Sequence, residues 1–336
     1  MLKLFIHSFG YRFHFRFKPG FDIFALIDKA AALGFSGLNC SAFPPDFNYL
    51  GGAGADHVRA VRERLEATRM LIDIECNGTG VDHLTSQIDL AARLGAQHLR
   101  TYTRPAPGGA RQQVEDAVRD LKIVAPVAER AGVRVLVENH EDLAATEVAE
   151  ILQRVGHPSV GALFDYGNSM VFMKKPLDSL AHLRPWIRTA HMKDHVVVPA
   201  GAAGNAAPVY LGVPMGDGFL PVIETTRQII AAGADRICFE NCWAYQTNFR
   251  DRRGDGVLGE GAFGYRHPPY DPTSTLPNMP YKPGPGEPTI EDFARTNNLD
   301  LMAFETEAVR RSVLWLKTEY AKAGINLARD LNEAAA

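Results

Sequence analysis

Apolar residues follow two alternating patterns along this chain. Short continuous runs rich in Val, Ile, Leu and Phe, of the kind that fill buried strands, span 2–8, 35–40, 70–76, 97–102, 133–139, 160–165, 187–192 and 236–241. Between them apolar positions recur every three or four residues, which predicts helices over 81–94, 111–131, 144–155 and 219–232 and a last one near 299–323. A shared phrase marks the junctions: an Ala/Leu-rich segment ends in Gly and passes at once into an apolar run, as in AALGFSGLNC, AARLGAQHLRTY, AERAGVRVLVEN and IAAGADRICFEN. Gly34, Gly95, Gly132 and Gly233 stand where a helix end favours a left-handed residue, so each marks a passage from helix to strand. Eight β-α units in one series predict a closed (β/α)8 TIM barrel, a single domain over 1–336, rather than an open doubly wound sheet. The open-sheet alternative lacks its phosphate-binding anchor, because no G-x-G-x-x-G follows the first strand.

Two connections are longer than a barrel requires. Residues 194–218 carry AGAAGNAAP and MGDG, and residues 243–290 carry repeated Gly and then repeated Pro. Both loops follow a strand, so both are expected on the face that bears active sites, as lids or binding surfaces, with 243–290 an insertion there.

Composition narrows the partners. At 46% hydrophobic and 22% charged residues the balance is that of an ordinary globular protein, and no apolar run approaches the ~20 residues of a spanning helix. No membrane association is expected. The start, MLKLFIHSFGYRFHF, lacks the long apolar centre and cleavage site of a signal peptide, so a cytoplasmic location is expected. With a net charge of −3 and no Lys/Arg stretch interleaved with aromatics, a small molecule is the expected partner and nucleic acid is not. Cys40, Cys76, Cys238 and Cys242 are too scattered for a disulfide framework, and the C-x3-C at 238–242 has no second pair to complete a zinc site. Buried thiols are expected.

Chemistry enters at the strand ends. VLVENHEDL, residues 135–143, turns abruptly from aliphatic residues to carboxylates and an imidazole, where a plain turn would use Gly, Asn or Ser. The change recurs: Glu138 closes strand five, Asp165 strand six, His191 strand seven and Glu240 strand eight. The C-terminal ends of successive barrel strands converge on one mouth, so these four side chains should meet. Each alone reads equally well as a helix cap or a solvated loop residue; four in succession predict a divalent-metal centre. Two Glu, one Asp and one His form an oxygen-rich set suited to Mn2+, Mg2+, Co2+, Fe2+ or Zn2+, with positions left for substrate oxygens.

The order Glu, Asp, His, Glu in the contexts VEN, LFDYGN, HMKD and FEN resembles the sugar phosphate isomerase/epimerase superfamily of xylose-isomerase-like TIM barrels, over nearly the whole chain. That resemblance implies sugar chemistry and one bound divalent metal, with Mn2+ favoured. Its members include ketose epimerases, hydroxypyruvate isomerases, inosose and dehydroshikimate dehydratases and apurinic endonucleases. Ketose 3-epimerases and the endonucleases usually carry a His three residues after the Asp, where this chain has Asn168. HMKD, with Lys193 two residues past His191 on the same strand face, resembles the dehydratase branch. ENHE places His140 two residues after Glu138 and resembles the large subunit of bacterial C-glycoside deglycosidases, in which such a His serves as base. This implies a lyase acting on 3-oxo-C-glucosides, with a small β-sandwich partner subunit in a hetero-oligomer.

All these reactions remove a carbon-bound proton beside a carbonyl, which demands charge to stabilise the enolate. In the lyase, His140 or Glu138 would take that proton, and Glu240, Lys193 or a group of the partner subunit would protonate the departing carbon. In a ketose epimerase or isomerase, Glu138 and Glu240 would exchange protons from opposite faces; a dehydratase of the inosose type is the remaining alternative. His140 reads equally well as orienting a carboxylate, and Lys193 as pairing with Asp194 or another acid. His7, Glu75, Arg100, Tyr102, Asn168 and Trp243 are further candidates to grip the substrate. Phe9, Tyr11, Phe13, Phe15 and Phe17 alternate at period two after strand one, a stripe expected in the core or, on the active-site face, against an aromatic aglycone or a partner protein.

Overall fold

Eight parallel strands close on themselves in the computed structural model, which describes residues 1–43, 47–201, 206–250, 254–266, 292, 295 and 300–336. They are β1 (Lys3–His7), β2 (Gly37–Phe43), β3 (Leu71–Glu75), β4 (His98–Thr101), β5 (Arg134–Glu138), β6 (Val160–Asp165), β7 (Ile187–Met192) and β8 (Arg236–Phe239). β1 completes the ring by pairing with both β2 and β8, Phe5 opposite Gly37 and Lys3 opposite Arg236. Among the described residues, and besides a short helix at Arg12–Phe17, eight helices alternate with them, from Ile23–Ala32 after β1 to Leu301–Ala323 after β8. The expected TIM barrel is the observed fold. Gly95 and Gly132 end their helices at φ of 78° and 68°, and Gly34 and Gly233 also have positive φ, as the junction phrase requires.

Alternation along each strand creates two environments. One set, including Ile6, Leu38, Ile74, Val137, Phe164 and Ile237, shares a single apolar core with the surrounding helices. Fully burying a side chain of this kind stabilises by roughly 1.5–3 kcal/mol. The other set fills the barrel interior and is largely polar. Low in the interior, Asp73 of β3 pairs with Arg236 of β8 at 3.2 Å and lies 3.4 Å from His98 of β4. Above it His7, Glu75, Arg100, Glu138 and His191 are all buried. The strand-end acids are thus the upper layer of a charged interior, not isolated loop residues. Gly37 makes room for this packing, since a Cβ there would lie 2.6 Å from the Phe5 ring.

Two sequence expectations change. The aromatic stripe is not extended: the chain reverses after β1 into a 3-10 turn, Ser8–Tyr11, and a short helix, Arg12–Phe17. His7 Nδ1 accepts the Phe9 N–H at 2.9 Å, and Glu305 accepts the Phe13 and His14 N–H groups at 3.0 Å each, which fixes that reversal. In a helix, period two no longer defines one face; Tyr11 and Phe13 are buried while Phe17 is 40% exposed.

The loops after β7 and β8 also carry structure of their own. Asp194–Val198, Val209–Val213 and Gln246–Asn248 form a three-stranded antiparallel sheet, a cap over one side of the mouth. Its β-branched runs, DHVVV and VYLGV, are strand-forming, and Val196, Val198, Val209, Leu211 and Val213 make a separate apolar cluster. Of the insertion expected over 243–290, residues 251–253 and 267–290 lie outside the described residues. The four cysteines are buried and unpaired by disulfides. No helix of the described residues is long and apolar enough to cross a membrane.

Candidate metal centre

Strand register gathers the four strand-end groups. Asp165 lies opposite His191, and His191 opposite Cys238, so Glu240 emerges beside them two residues further on. Glu138, Asp165 and His191 offer ligand atoms within 4.8 Å of one another. Glu240 joins through Lys193, whose Nζ lies 2.8 Å from Asp165 Oδ2 and 3.0 Å from Glu240 Oε2. The turn after β6 explains why Asp165 points inward: its Oδ1 accepts the N–H groups of Gly167 and Asn168 at 2.8 Å each. Asn139 ties β5 to β6, accepting the Asp165 N–H at 2.7 Å and donating to the Asp165 carbonyl at 3.1 Å.

Three oxygens in this cluster decide its character. Glu138 Oε2, Asp165 Oδ2 and Glu240 Oε2 are buried and, among the described residues, are met only by side-chain cations, Arg100 Nε at 3.1 Å from the first and Lys193 Nζ at 2.8 and 3.0 Å from the other two. A buried anionic oxygen with open lone pairs is costly unless a cation completes it. The set fits a divalent cation: Glu138 and Asp165 oxygens lie within 4.8 Å of each other and of the His191 imidazole, Glu240 stands beside them across Lys193, and each buried acid already draws a positive charge.

Electrostatics keep most of this set ionised. Burial opposes the charge on Glu138, but Arg100 and His191 outweigh it and hold the group down at about 2. Burial likewise opposes the charge on Glu240, which Lys193, His7 and His191 overcome, so it too lies well below the usual carboxylate range. Asp165 goes the other way, raised to about 6 by burial, with Lys193 pulling it down and Glu138 and Glu240 pushing it up. His191 would be lowered by burial, yet Glu75 and Glu138 raise it to about 10. Lys193 is raised by Asp165 and Glu240 against the effect of burial. Arg100 and Lys193 thus bring two positive charges among the acids.

Above the cluster lies a cavity of about 350 Å3. Phe9, Phe43, Phe47, Tyr102 and Tyr245 provide aromatic walls, while Arg100, Asn168, Lys193 and Glu240 face it from the metal side. The His140 ring stacks on Tyr102, with centroids 3.9 Å apart and planes within 10°. Its side chain remains 30% exposed, and its Nδ1 lies 3.5 Å from Asp142. Asn168 donates to Glu138 Oε1 at 3.2 Å, and His7 also borders the cavity.

Two expected substrate contacts are corrected. Glu75 is fully buried beneath the cavity and does not line it; its oxygens face His191, Asn39, Arg100, His7 and Ser41 instead. Trp243 packs away from the mouth against Phe13 and Phe304. Ala244, at φ 66°, reverses the chain after it, so Cys242 and Tyr245 reach the cavity in its place. Of the two pairings open for Lys193, Asp165 and Glu240 are its partners; Asp194 accepts four backbone N–H groups, those of His195, Gly216, Gly218 and Leu220. Sequence reasoning missed Glu141, which accepts Tyr245 Oη at 2.8 Å and Thr247 Oγ1 at 3.1 Å and so joins the β5 loop to the cap. It also missed Arg104 and Phe47 on the cavity wall.

The profile of the xylose isomerase-like TIM barrel family matches residues 27–258. The chain belongs to that family. A xylose isomerase-like TIM barrel protein of Mycobacterium smegmatis, solved in complex with magnesium, superposes with a TM-score of 0.53 at 15% identity, covering 71% of this chain and 89% of its own. Among the relatives, an uncharacterized protein of Escherichia coli, YihM, is 23% identical over 235 residues, 70% of each chain. The 3-oxo-isoapionate decarboxylase of Pectobacterium atrosepticum is 23% identical over 160 residues, 48% of this chain and 57% of that protein. Among solved structures, the D-psicose 3-epimerase of Clostridium cellulolyticum superposes with a TM-score of 0.56 at 15% identity, covering 79% of this chain and 91% of its own, a likeness of fold.

Proposed function

We propose that this xylose isomerase-like barrel is a metal-dependent lyase that cleaves the carbon–carbon bond of 3-oxo-C-glucosides, the catalytic subunit of a C-glycoside deglycosidase. The observation that carries the reading is a division of labour at the barrel mouth. Glu138 and Glu240 are pinned by Arg100 and Lys193, whereas the His140 imidazole stands partly exposed on the cavity wall, braced by Tyr102. A base must reach its proton, and His140 is the group placed to do so.

Glu138, Asp165, His191 and Glu240 would hold the cation, with Mn2+ favoured; when bound, it supplies the positive charge that stabilises an enolate forming at the substrate ketone. His140 takes the proton from C2 of the 3-oxo sugar, and the C–H electron pair becomes the enolate of the C3 ketone. As the ketone re-forms, a C1–C2 double bond forms and the bond from C1 to the aglycone carbon breaks. That carbon takes a proton from Lys193, with Glu240 beside it to hold the ammonium in place. One proton leaves the sugar and one joins the aglycone, so the products are an unsaturated 3-oxo sugar and the free aglycone. Phe9, Phe43, Phe47 and Tyr245 suit an aromatic aglycone, and His7, Arg100 and Asn168, which also line the cavity, would meet the sugar oxygens. A small β-sandwich partner subunit belongs to this proposal.

The relative named a 3-oxo-isoapionate decarboxylase supports it, because decarboxylation of a 3-oxo acid also breaks a carbon–carbon bond and leaves the electron pair beside a ketone. A second reading, ketose epimerase, draws on the likeness to the D-psicose 3-epimerase. It would use Glu138 and Glu240 as a pair of bases, and both are held low by cationic neighbours. The test is incubation of the Mn2+-loaded protein, with and without a small partner subunit, with a 3-oxo-C-glucoside and separately with ketohexoses. Release of free aglycone supports the lyase; interconverted ketoses with no aglycone would overturn it.

A further inference from the structure

We infer that Glu75 is a positioning residue of the metal centre: it fixes the proton of His191 on Nε2, so that Nδ1 is the nitrogen presented to the metal. This rests on the metal-centre reading but not on the identity of the substrate.

The two nitrogens of His191 face different carboxylates. Nε2 lies 2.8 Å from Glu75 Oε1, and Nδ1 lies 3.4 Å from Glu138 Oε1 on the metal side. The Asn39 amide nitrogen lies 3.2 Å from Nε2 but closer to Glu75 Oε1, at 2.9 Å, and donates there; two facing lone pairs at 2.8 Å would repel, so a proton must sit between Nε2 and Glu75. Neutral His191 has one ring proton, and placing it on Nε2 leaves the Nδ1 lone pair directed among Glu138 and Asp165. That is the arrangement in which a carboxylate behind an imidazole sets its tautomer and raises its basicity toward a metal.

Glu75 cannot turn away from this task, because every direction around it is taken. Oε1 also faces the Asn39 amide at 2.9 Å. Oε2 faces His7 Nε2, Arg100 NH2 at 2.6 Å and Ser41 Oγ at 3.3 Å. The proton on the His7 side is assigned as well, since His7 Nδ1 accepts the Phe9 N–H and its Nε2 must donate. Arg100 extends the same control to a second ligand, its Nε lying 3.1 Å from Glu138 Oε2. A residue with no exposure thus orients two of the four candidate ligands without touching substrate.

Glu75→Gln tests this with little change of volume. Three donors surround the Oε2 position, so the glutamine oxygen should turn there and leave its NH2 facing His191 Nε2. An amide donor at that place drives the ring proton to Nδ1, the nitrogen the metal needs. Calorimetric titration with Mn2+ should show roughly 10- to 100-fold weaker binding than wild type, the range found for partners behind metal-bound histidines. Nitrogen NMR of the imidazole rings, with His191→Gln used to assign the signal, reads the tautomer directly. Mg2+-loaded wild-type protein should carry the His191 proton on Nε2, and the metal-free Glu75→Gln variant should carry it on Nδ1. Wild-type Mn2+ affinity in the variant, or an unprotonated Nε2 in the loaded wild type, would overturn the inference, and the wild-type spectrum decides it even if the variant does not fold. Wild-type protein that takes up no divalent ion would overturn the metal centre itself, a distinguishable result.

Discussion

Two constellations meet at His191, and they use the same residue types to opposite effect. His7, Glu75 and His191 could hold an ion by proximity alone, as could Glu138, Asp165 and His191. Around Glu75 both oxygens are filled by donors from five side chains. Around the second group, Glu138 Oε2, Asp165 Oδ2 and the neighbouring Glu240 Oε2 are each faced by a single side-chain cation, Arg100 for the first and Lys193 for the other two. Proximity of ligand types is therefore a poor guide to a metal site; the number of fixed donors around each carboxylate separates a structural one from one whose charge a mobile cation can meet.

The largest effect should come from the second group. Asp165→Asn removes a ligand charge, and Mn2+ affinity should fall by more than roughly 100-fold, beyond the loss expected for residues behind the ligands, with activity lost alongside. Calorimetry and turnover on one preparation check that the two losses coincide. His140→Ala should separate them: Mn2+ binding within twofold of wild type, but turnover down by roughly 10²- to 10⁴-fold. A fully active variant would remove His140 from the base role.

Lys193→Met should expose what the ammonium does in the metal-free protein. Breaking a buried ion pair from one side costs about 3–5 kcal/mol, so thermal unfolding of the metal-free variant should drop sharply and recover on adding Mn2+. Metal uptake should also depend on pH, because the ion must displace a proton from His191, whose pKa is raised to about 10. Between pH 7 and 9 the apparent affinity should climb by about one decade per pH unit. Below about 6, where Asp165 also takes up a proton, the dependence should steepen. The smallest effect belongs to Trp243→Phe, which lies outside the cavity and should leave kcat/KM within about twofold.

The barrel was legible because two local signals coincide at four of its junctions, a Gly at positive φ (Gly34, Gly95, Gly132 and Gly233) and an apolar run that follows it. The placement of Glu138, Asp165, His191 and Glu240 followed from strand parity and the convergence of strand ends. Depth was not legible. Glu75 shares their parity and, like Glu138, Asp165 and His191, lies beneath the cavity, which only Glu240 of this set lines; what sets Glu75 apart is that donors from five side chains surround its two oxygens, which strand parity does not reveal. Trp243 was misplaced because an alanine, not a glycine, takes the positive φ that turns the chain at Ala244. The role of Glu141 depends on a cap strand more than a hundred residues away, and no spacing in the sequence announces that partnership.

The most direct test is a crystal soaked in Mn2+ and measured at the manganese absorption edge. One anomalous peak at about 2.0–2.3 Å from Glu138, Asp165, His191 Nδ1 and Glu240 is the predicted result. A peak between His7, Glu75 and His191, or none in the barrel mouth, would contradict it.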